Sequence, residues 1–283
     1  MFLITSMTQV SILIAVTVYI LLVIALGFSP LKPFRAAGVF VKELSSRKKM
    51  LLHFCAVLMI LFFNKIEQLI EKQMHHLSDF TPSFHQMEGE FIVVFQKLFE
   101  NIILTHFMSY YYVVVFTALM VASIILYVYT KNTKLFYALC YAIMFNYMIA
   151  IPFFLFFPVT EVHAFNPNVR FLMLDAFPTF EAEYRPLSGL NNCFPSLHTS
   201  LSVTLALMAR RSGNAFWKWF VPISAAIIIF SIFYLGIHWL TDMVGGMTLG
   251  FFSSLLALRL AEGRQIMGQI NPASNRLKKR DWR

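Results

Sequence analysis

The stretch Asn191–Ser200, NNCFPSLHTS, is where a polar loop becomes an apolar helix. Proline suits the first turn of a helix, because its missing N–H would be unpaired there anyway. Pro195 therefore predicts a helix start, with the backbone N–H groups of Ser196, Leu197 and His198 directed at one spot beside the Ser196 hydroxyl. Such a spot favours an anion, and His198 would stand within reach of it as a proton donor or acceptor. Taken alone, the stretch also fits a simple N-cap with an interfacial histidine.

The composition of the whole chain predicts an integral membrane protein. Of its 283 residues, 58% are hydrophobic and only 13% are charged, whereas soluble domains carry about a quarter of charged residues. The apolar segments leave no soluble block of domain size, so one membrane domain is expected. The net charge of +9 lies in short basic runs between apolar segments. This pattern is typical of membrane topology and argues against nucleic-acid binding.

Seven apolar segments predict an all-α polytopic membrane bundle of about six to seven transmembrane helices. The segments are Thr8–Phe28, Met50–Ile70, Phe107–Tyr129, Leu135–Pro158, Ser196–Ala209, Trp217–Gly236 and Trp239–Leu260. The fifth segment is short for a hydrocarbon core of about 30 Å, which needs about 20 helical residues. Its N-terminal residues are therefore expected to lie in a recess.

Lysines and arginines in the connections predict the orientation in the membrane. Basic residues concentrate after the first, third, fifth and seventh segments, which all fall on one side. That side is predicted to be cytoplasmic. The loop before Pro195, the turn around Gly236 and the carboxylate-rich stretch within Lys65–Glu100 would then lie outside. We expect a multi-pass protein of the cell membrane with its interesting loops on the extracytoplasmic face.

A second stretch, Ser231–Gly246, reads SIFYLGIHWLTDMVGG. His238 and Asp242 are four residues apart, so on a helix beginning near residue 237 they would share a face. The carboxylate could hold one imidazole nitrogen while the other points away, as a nucleophilic or basic histidine requires. A purely structural pair is the alternative. Three glycines further predict a face that lets another helix approach closely: Gly245, Gly246 and Gly250.

The polar loop Glu161–Asn192 would bring Arg170 and Arg185 to the same face. Guanidinium groups match phosphate oxygens in a bidentate fork, although an arginine that contacts lipid headgroups is an equal alternative. No cofactor or metal site is expected, because the cysteines have no close spacing and His75, His76 and His85 lack a carboxylate at ligand spacing. The cysteines are Cys55, Cys140 and Cys193.

The FPSLH of residues 194–198, followed by SxxxxxxHxxxD, resembles the type 2 phosphatidic acid phosphatase superfamily. The pattern of that family is KxxxxxxRP, then PSGH, then SRxxxxxHxxxD. The leucine in place of glycine is similar to the branch that includes inositol phosphorylceramide synthases. The motifs cover residues 185–246, and the helical layout of residues 107–260 agrees with the family core.

The resemblance implies a mechanism for this site. His238 would attack phosphorus to give a phosphohistidine, and Asp242 would orient it. His198 would protonate the leaving group. Ser196 and Arg185 would hold the phosphoryl oxygens, with Leu197 beside them in the same helix turn.

Two departures from the family pattern concern cations. The lysine of the first motif falls at Pro178 and the arginine of the third falls at Ile232, so Arg170 is the candidate substitute. Fewer cations leave open a phosphodiester or diphosphate as the substrate.

These observations predict a metal-independent phosphatase of a lipid phosphate or diphosphate, working at the extracytoplasmic face of the bilayer. A phosphotransferase that moves an inositol-phosphate-type headgroup is one alternative, and a non-catalytic protein that binds anions or lipids is another. The expected organisation is an N-terminal part over residues 1–106, a phosphatase-like core over 107–262 and a basic cytoplasmic tail over 263–283.

Overall fold

The computed structural model describes residues 3–71, 73 and 79–270, and the side chains of the last range as far as residue 263. Within these ranges the chain forms helices and loops without a β-strand. Six helices are long and apolar enough to cross a membrane, which confirms the predicted all-α polytopic bundle. Residues 271–283 of the predicted tail, as well as His75 and His76, lie outside the described residues.

The six candidate spans are Met7–Ala25, Lys48–Glu71, Ile102–Tyr129, Thr133–Phe156, Ala215–Tyr234 and Leu240–Gly263. In chain order, the helices are α1 Met7–Ala25, α2 Lys32–Ser46, α3 Lys48–Glu71, α4 Thr81–Glu88, α5 Phe91–Phe99, α6 Ile102–Tyr129, α7 Thr133–Phe156, α8 Leu197–Ala209, α9 Ala215–Tyr234 and α10 Leu240–Ile270. Helix α6 contains one π-helical turn, Tyr111–Val115. The loop between α7 and α8 holds four single helical turns: Val162–Phe165, Met173–Ala176, Phe180–Glu183 and Arg185–Ser188.

Helix α8 is the short helix that the sequence predicts. It has 13 residues, which gives a length of about 20 Å at about 1.5 Å per residue. Since the hydrocarbon core is about 30 Å thick, one end of α8 lies below an interface if the helix enters the bilayer. It packs among α7, α9 and α10. We call the end of the bundle where α7 ends and α8 and α10 begin the site end.

The predicted glycine face lets α10 pack directly against α8. A Cβ atom on Gly246 would lie 2.5 Å from the carbonyl oxygen of Ser196, and one on Gly250 would lie 2.3 Å from that of Ser200. Both distances are too short for any side chain. The prediction of close approach is therefore confirmed, and the backbones of the two motifs are in contact.

Hydrogen bonds inside the bundle fix the rotation of the helices that surround α8. The amide of Asn146 in α7 donates to Oγ1 of Thr204 in α8 over 3.1 Å, and the hydroxyl of Ser254 in α10 donates to the same oxygen over 3.3 Å. Such interhelical bonds in membranes contribute about 0.6 kcal/mol each on average. Thr204 thus links α7 and α10 to α8.

A tight turn at Gly236 links α9 to α10. Gly236 has a φ of +76°, and a Cβ atom there would lie 2.6 Å from the carbonyl oxygen of Arg170. Its own carbonyl oxygen accepts a hydrogen bond from His163 N over 2.9 Å. The three residues that follow this turn lie outside a helix, so α10 begins at Leu240 and not near residue 237 as expected. His238 therefore precedes the helix that carries Asp242.

Candidate active site

His238 and Asp242 form a buried pair at the site end. Nδ1 of His238 lies 3.2 Å from Oδ2 of Asp242, and the two side chains are 6% and 0% exposed. An imidazole held at Nδ1 presents Nε2 as its reactive nitrogen. The sequence-based prediction that the carboxylate orients the imidazole agrees with this geometry, although the two residues do not share a helix face.

Asp242 also caps its own helix. Oδ2 accepts a hydrogen bond from the backbone N–H of Trp239 over 2.9 Å. The other oxygen, Oδ1, is buried without a hydrogen-bond partner among the described residues. The carboxylate is thus held by two donors and keeps one free acceptor.

Ser196 joins the two motifs. Its backbone N–H donates to the backbone carbonyl oxygen of Asp242 over 3.1 Å, and its hydroxyl accepts from the N–H of Thr199 over 3.3 Å. Ser196 is therefore the N-cap of α8. The sequence predicts a free N–H at Ser196, but this group is bonded to Asp242. In the first turn of α8, the N–H groups of Leu197 and His198 have no acceptor among the described residues. These two groups can still receive an anion.

His198 lies against α6. Its ring stacks on Tyr112, with the ring centroids 3.9 Å apart, and contacts Phe116 at 4.4 Å. Tyr112 belongs to the π-helical turn of α6, a feature that is frequent at functional sites. Nε2 of His198 is buried without a partner in the described part of the chain. His198 stands in the first turn of α8 and His238 two residues before α10, so both lie at the site end.

Arg185 is held by carboxylates that the sequence did not point to. Its Nη2 donates to Glu161 Oε2 and to Glu181 Oε1, each over 2.9 Å, and its Nη1 donates to the carbonyl oxygen of Gly189 over 2.9 Å. Its side chain is 12% exposed. Burial lowers the pKa of the Arg185 guanidinium, but the hydrogen bonds and charges of Glu181 and Glu161 outweigh it and raise the pKa overall. The same hydrogen bond holds the pKa of Glu181 below its usual value.

The structure does not bring the side chain of Arg170 to this site. Its guanidinium pairs with Glu100 and with Asp175, and it is 59% exposed. Among the described residues, no contact links it to Ser196, His198 or His238. The positions of the missing family cations hold an exposed proline at 178 and a fully buried isoleucine at 232. The idea that Arg170 replaces those cations therefore finds no support in the contacts.

The pair and Cys193 together offer three donor groups that could hold a metal ion. One ligand atom each of Cys193, His238 and Asp242 lies within 4.8 Å of the other two. Burial raises the pKa of the Cys193 thiol well above its usual value, and the charge of Asp242 adds to this effect. A thiol that stays protonated is a poor metal ligand, because transition metals bind the thiolate. The donor set therefore fits packing better than metal binding.

Glu88 is a further residue that the motifs did not reveal. Its carboxylate accepts hydrogen bonds from the backbone N–H groups of Leu240 and Thr241, the first two residues of α10. Glu88 lies about 150 residues earlier in the chain, at the end of α4. A sequence signal for this contact is lacking, because a single glutamate in an outer loop has many possible partners.

Comparison with protein-family models gives one match, to the family described as the PAP2 superfamily, over residues 85–256. The matched region contains the His238 and Asp242 pair, His198, Arg185 and Glu88. No curated protein and no solved structure matches the chain significantly.

Proposed function

Because the chain belongs to the PAP2 superfamily, as its motifs predicted, we propose that it is a membrane-embedded, metal-independent phosphatase of a lipid phosphate or diphosphate. Membership of the family supports a phosphatase-type activity on lipid phosphates. The six apolar helices support association with the lipid bilayer. The observation that carries the proposal is the buried pair of His238 and Asp242, together with the backbone hydrogen bond from the N-cap of α8 to Asp242.

In the first step, Nε2 of neutral His238 attacks the phosphorus atom, and the bond between phosphorus and the lipid oxygen breaks. Protonated His198 donates its proton to the leaving oxygen. The products are a phosphohistidine and the lipid alcohol, or the lipid monophosphate when the substrate is a diphosphate. Asp242 stabilises the positive charge that forms on His238, because its Oδ2 lies beside Nδ1.

In the second step, a water molecule attacks the phosphohistidine. His198, now neutral, accepts a proton from this water, and the bond between phosphorus and Nε2 breaks. Inorganic phosphate leaves, and both histidines return to their starting forms. Proton transfer of this kind contributes a factor of about 10²–10⁴ to the rate.

The phosphoryl oxygens would be held by the first turn of α8 and by Arg185. The N–H groups of Leu197 and His198 supply donors, and the Ser196 hydroxyl lies beside them. The guanidinium of Arg185 would exchange part of its bonding with Glu161 and Glu181 for the substrate, since a phosphate accepts the same fork. With one such cation, we expect weaker binding of a dianion than in a pocket with three.

The charge pattern supports an extracytoplasmic site in the cell membrane. The site end contains the carboxylates of Glu88, Glu161 and Glu181, whereas basic residues gather in the connections at the opposite end. Positive residues favour the cytoplasmic side.

The proposal is tested by phosphate release from phosphatidate and from an isoprenyl diphosphate by the purified protein, with chelator present. We expect release by the natural protein and by Arg170→Ala, and none by a folded His238→Ala variant. Release that survives in His238→Ala contradicts the mechanism, and loss of release with chelator contradicts metal independence.

The leucine at position 197 favours one second candidate, transfer of a phosphoryl headgroup to an alcohol such as inositol. The two reactions share the phosphohistidine and differ in the group that attacks it. Labelled inositol in the lipid product would identify the transferase. Absence of any turnover, with lipid or anion binding retained, would identify a non-catalytic binding protein.

A further inference from the structure

The N-terminus of α10 is covered by two carboxylates. One is Asp242, which accepts from the N–H of Trp239. The other is Glu88, which accepts from the N–H groups of Leu240 and Thr241 over 2.6 Å each. Three successive backbone donors at the start of the helix are thus satisfied by side chains.

The contact with Glu88 connects the candidate dyad to a distant part of the chain. Glu88 is the last residue of α4, and Gly89 follows it in a left-handed conformation with a φ of +56°. Short bonds from N–H groups to a carboxylate are charge-assisted and therefore stronger than bonds between neutral groups. A carboxylate is also favoured by the positive end of the helix dipole. These bonds hold the first two residues of α10.

We propose that Glu88 is a positioning residue, which acts through Leu240 and Thr241 to set the orientation and the charge balance of the His238 and Asp242 pair. The inference rests on the proposed function, in which His238 is the nucleophile. Glu88 does not touch the imidazole. It holds the backbone from which Asp242 reaches Nδ1.

Glu88 acts on the His238 and Asp242 pair through its charge as well as through its hydrogen bonds. Its negative charge interacts with that of Asp242. The titratable groups around His238 are Asp242 on α10, His198 on α8, Glu88 on α4 and Cys193 in the loop before α8. Glu161 and Arg185 lie further away, on the other side of Cys193. A nearby negative charge favours the protonated imidazole. Glu88→Gln therefore removes one of the negative charges that surround the pair.

The test compares Glu88→Gln with Glu90→Gln as a matched control. Glu90 lies two residues away, is exposed, and contacts the amide of Asn166 over 3.3 Å. Glutamine at position 88 keeps one acceptor oxygen but presents an NH₂ group to the second backbone donor. We expect kcat on phosphatidate to fall about tenfold, which corresponds to the loss of one charge-assisted bond, with KM within about twofold. The acidic limb of the pH–rate profile is expected to move to lower pH, while Glu90→Gln leaves all three quantities unchanged.

A second measurement does not depend on turnover. Diethyl pyrocarbonate reacts with neutral imidazole, so the pH midpoint of His238 modification, followed by mass spectrometry, reports its neutral fraction. We expect a lower midpoint in Glu88→Gln than in the natural protein and in Glu90→Gln. An unmoved midpoint overturns the inference, as does a loss of kcat that only follows the folded fraction with an unmoved pH profile. A natural protein that releases no phosphate contradicts the proposed function, and the modification midpoint then still decides the role of Glu88.

Discussion

The backbone N–H of Ser196 donates a hydrogen bond to the backbone carbonyl oxygen of Asp242 over 3.1 Å. This bond joins the N-cap residue of α8 to the first turn of α10, although 46 positions separate the two residues in the chain. It makes the position of the first turn of α8, where Leu197 and His198 are proposed to bind the phosphoryl oxygens, dependent on the position of the residue whose carboxylate pairs with His238.

The close contact between Gly246 and Ser196 predicts a large effect of one methyl group. Alanine at position 246 would place Cβ 2.5 Å from the Ser196 carbonyl oxygen. Because overpacking of this kind costs about 1–3 kcal/mol and would displace the N-cap, we expect Gly246→Ala to lower both the unfolding temperature and the rate of phosphate release. The control is Gly38→Ala in α2, where a Cβ atom meets nothing within 4 Å. A Gly246→Ala protein with natural stability and activity would show that this contact is not needed.

If His198 is the leaving-group acid, the decrease in rate caused by replacing His198 depends on the leaving group. We expect His198→Phe, which keeps a ring to stack on Tyr112, to lower kcat on a lipid phosphate by a factor of about 10²–10⁴. The loss should be much smaller for the rate of phenol release in the first turnover of an aryl phosphate with an acidic phenol as leaving group, because that group leaves without a proton and the second step is not yet measured. Equal losses on both substrates would argue against proton donation by His198.

The different surroundings of the two arginines predict different effects of the same conservative change. Lysine cannot reproduce the planar fork by which Arg185 bonds to Glu161 and Glu181. We expect Arg185→Lys to lower kcat/KM by a factor of about 10², the typical effect of removing one donor to a developing anion. Arg170→Lys should keep the natural kcat/KM. Unfolding temperatures of both variants distinguish loss of binding from loss of the folded state. Equal activities of the two variants would show that Arg185 does not bind the phosphate.

The proposed orientation predicts which positions face the cell exterior. In a Cys55→Ser background, we expect Glu90→Cys at the site end to react with a membrane-impermeant maleimide in intact cells. Lys131→Cys, in the connection between α6 and α7, should react only after lysis. The reverse labelling pattern would place the site end in the cytoplasm.

The sequence predicts the pairing of His238 with Asp242 and the start of α8 better than their surroundings. Pro195, His198, His238 and Asp242 were identified from local spacing, since capping signals and four-residue intervals are visible within one helix turn. The predicted start of α10, near residue 237, was wrong by about three residues. Gly236 has a positive φ and accepts a hydrogen bond from the N–H of His163, and the turn that it forms leaves His238 outside the helix. A helical period does not reveal such a tertiary constraint.

The partners of the charged residues could not be predicted for a related reason. Glu161 lies 24 residues from Arg185, and Glu88 lies 152 residues from Leu240. Such contacts arise only when the loops fold over the site end, and they leave no periodic pattern. Arg170 shows the converse, because its position in the loop suggested the site but its guanidinium pairs with Glu100 and Asp175.

The central claim is that His238 becomes covalently phosphorylated. The direct measurement is a rapid quench of the purified protein during turnover of a lipid substrate with a radiolabelled phosphate, followed by mass spectrometry of the labelled peptide. We predict an acid-labile, alkali-stable phosphoryl group on His238, which is absent from His238→Ala and accumulates when His198→Phe is given the aryl phosphate. Turnover without label on His238, or label on another residue, would contradict the account.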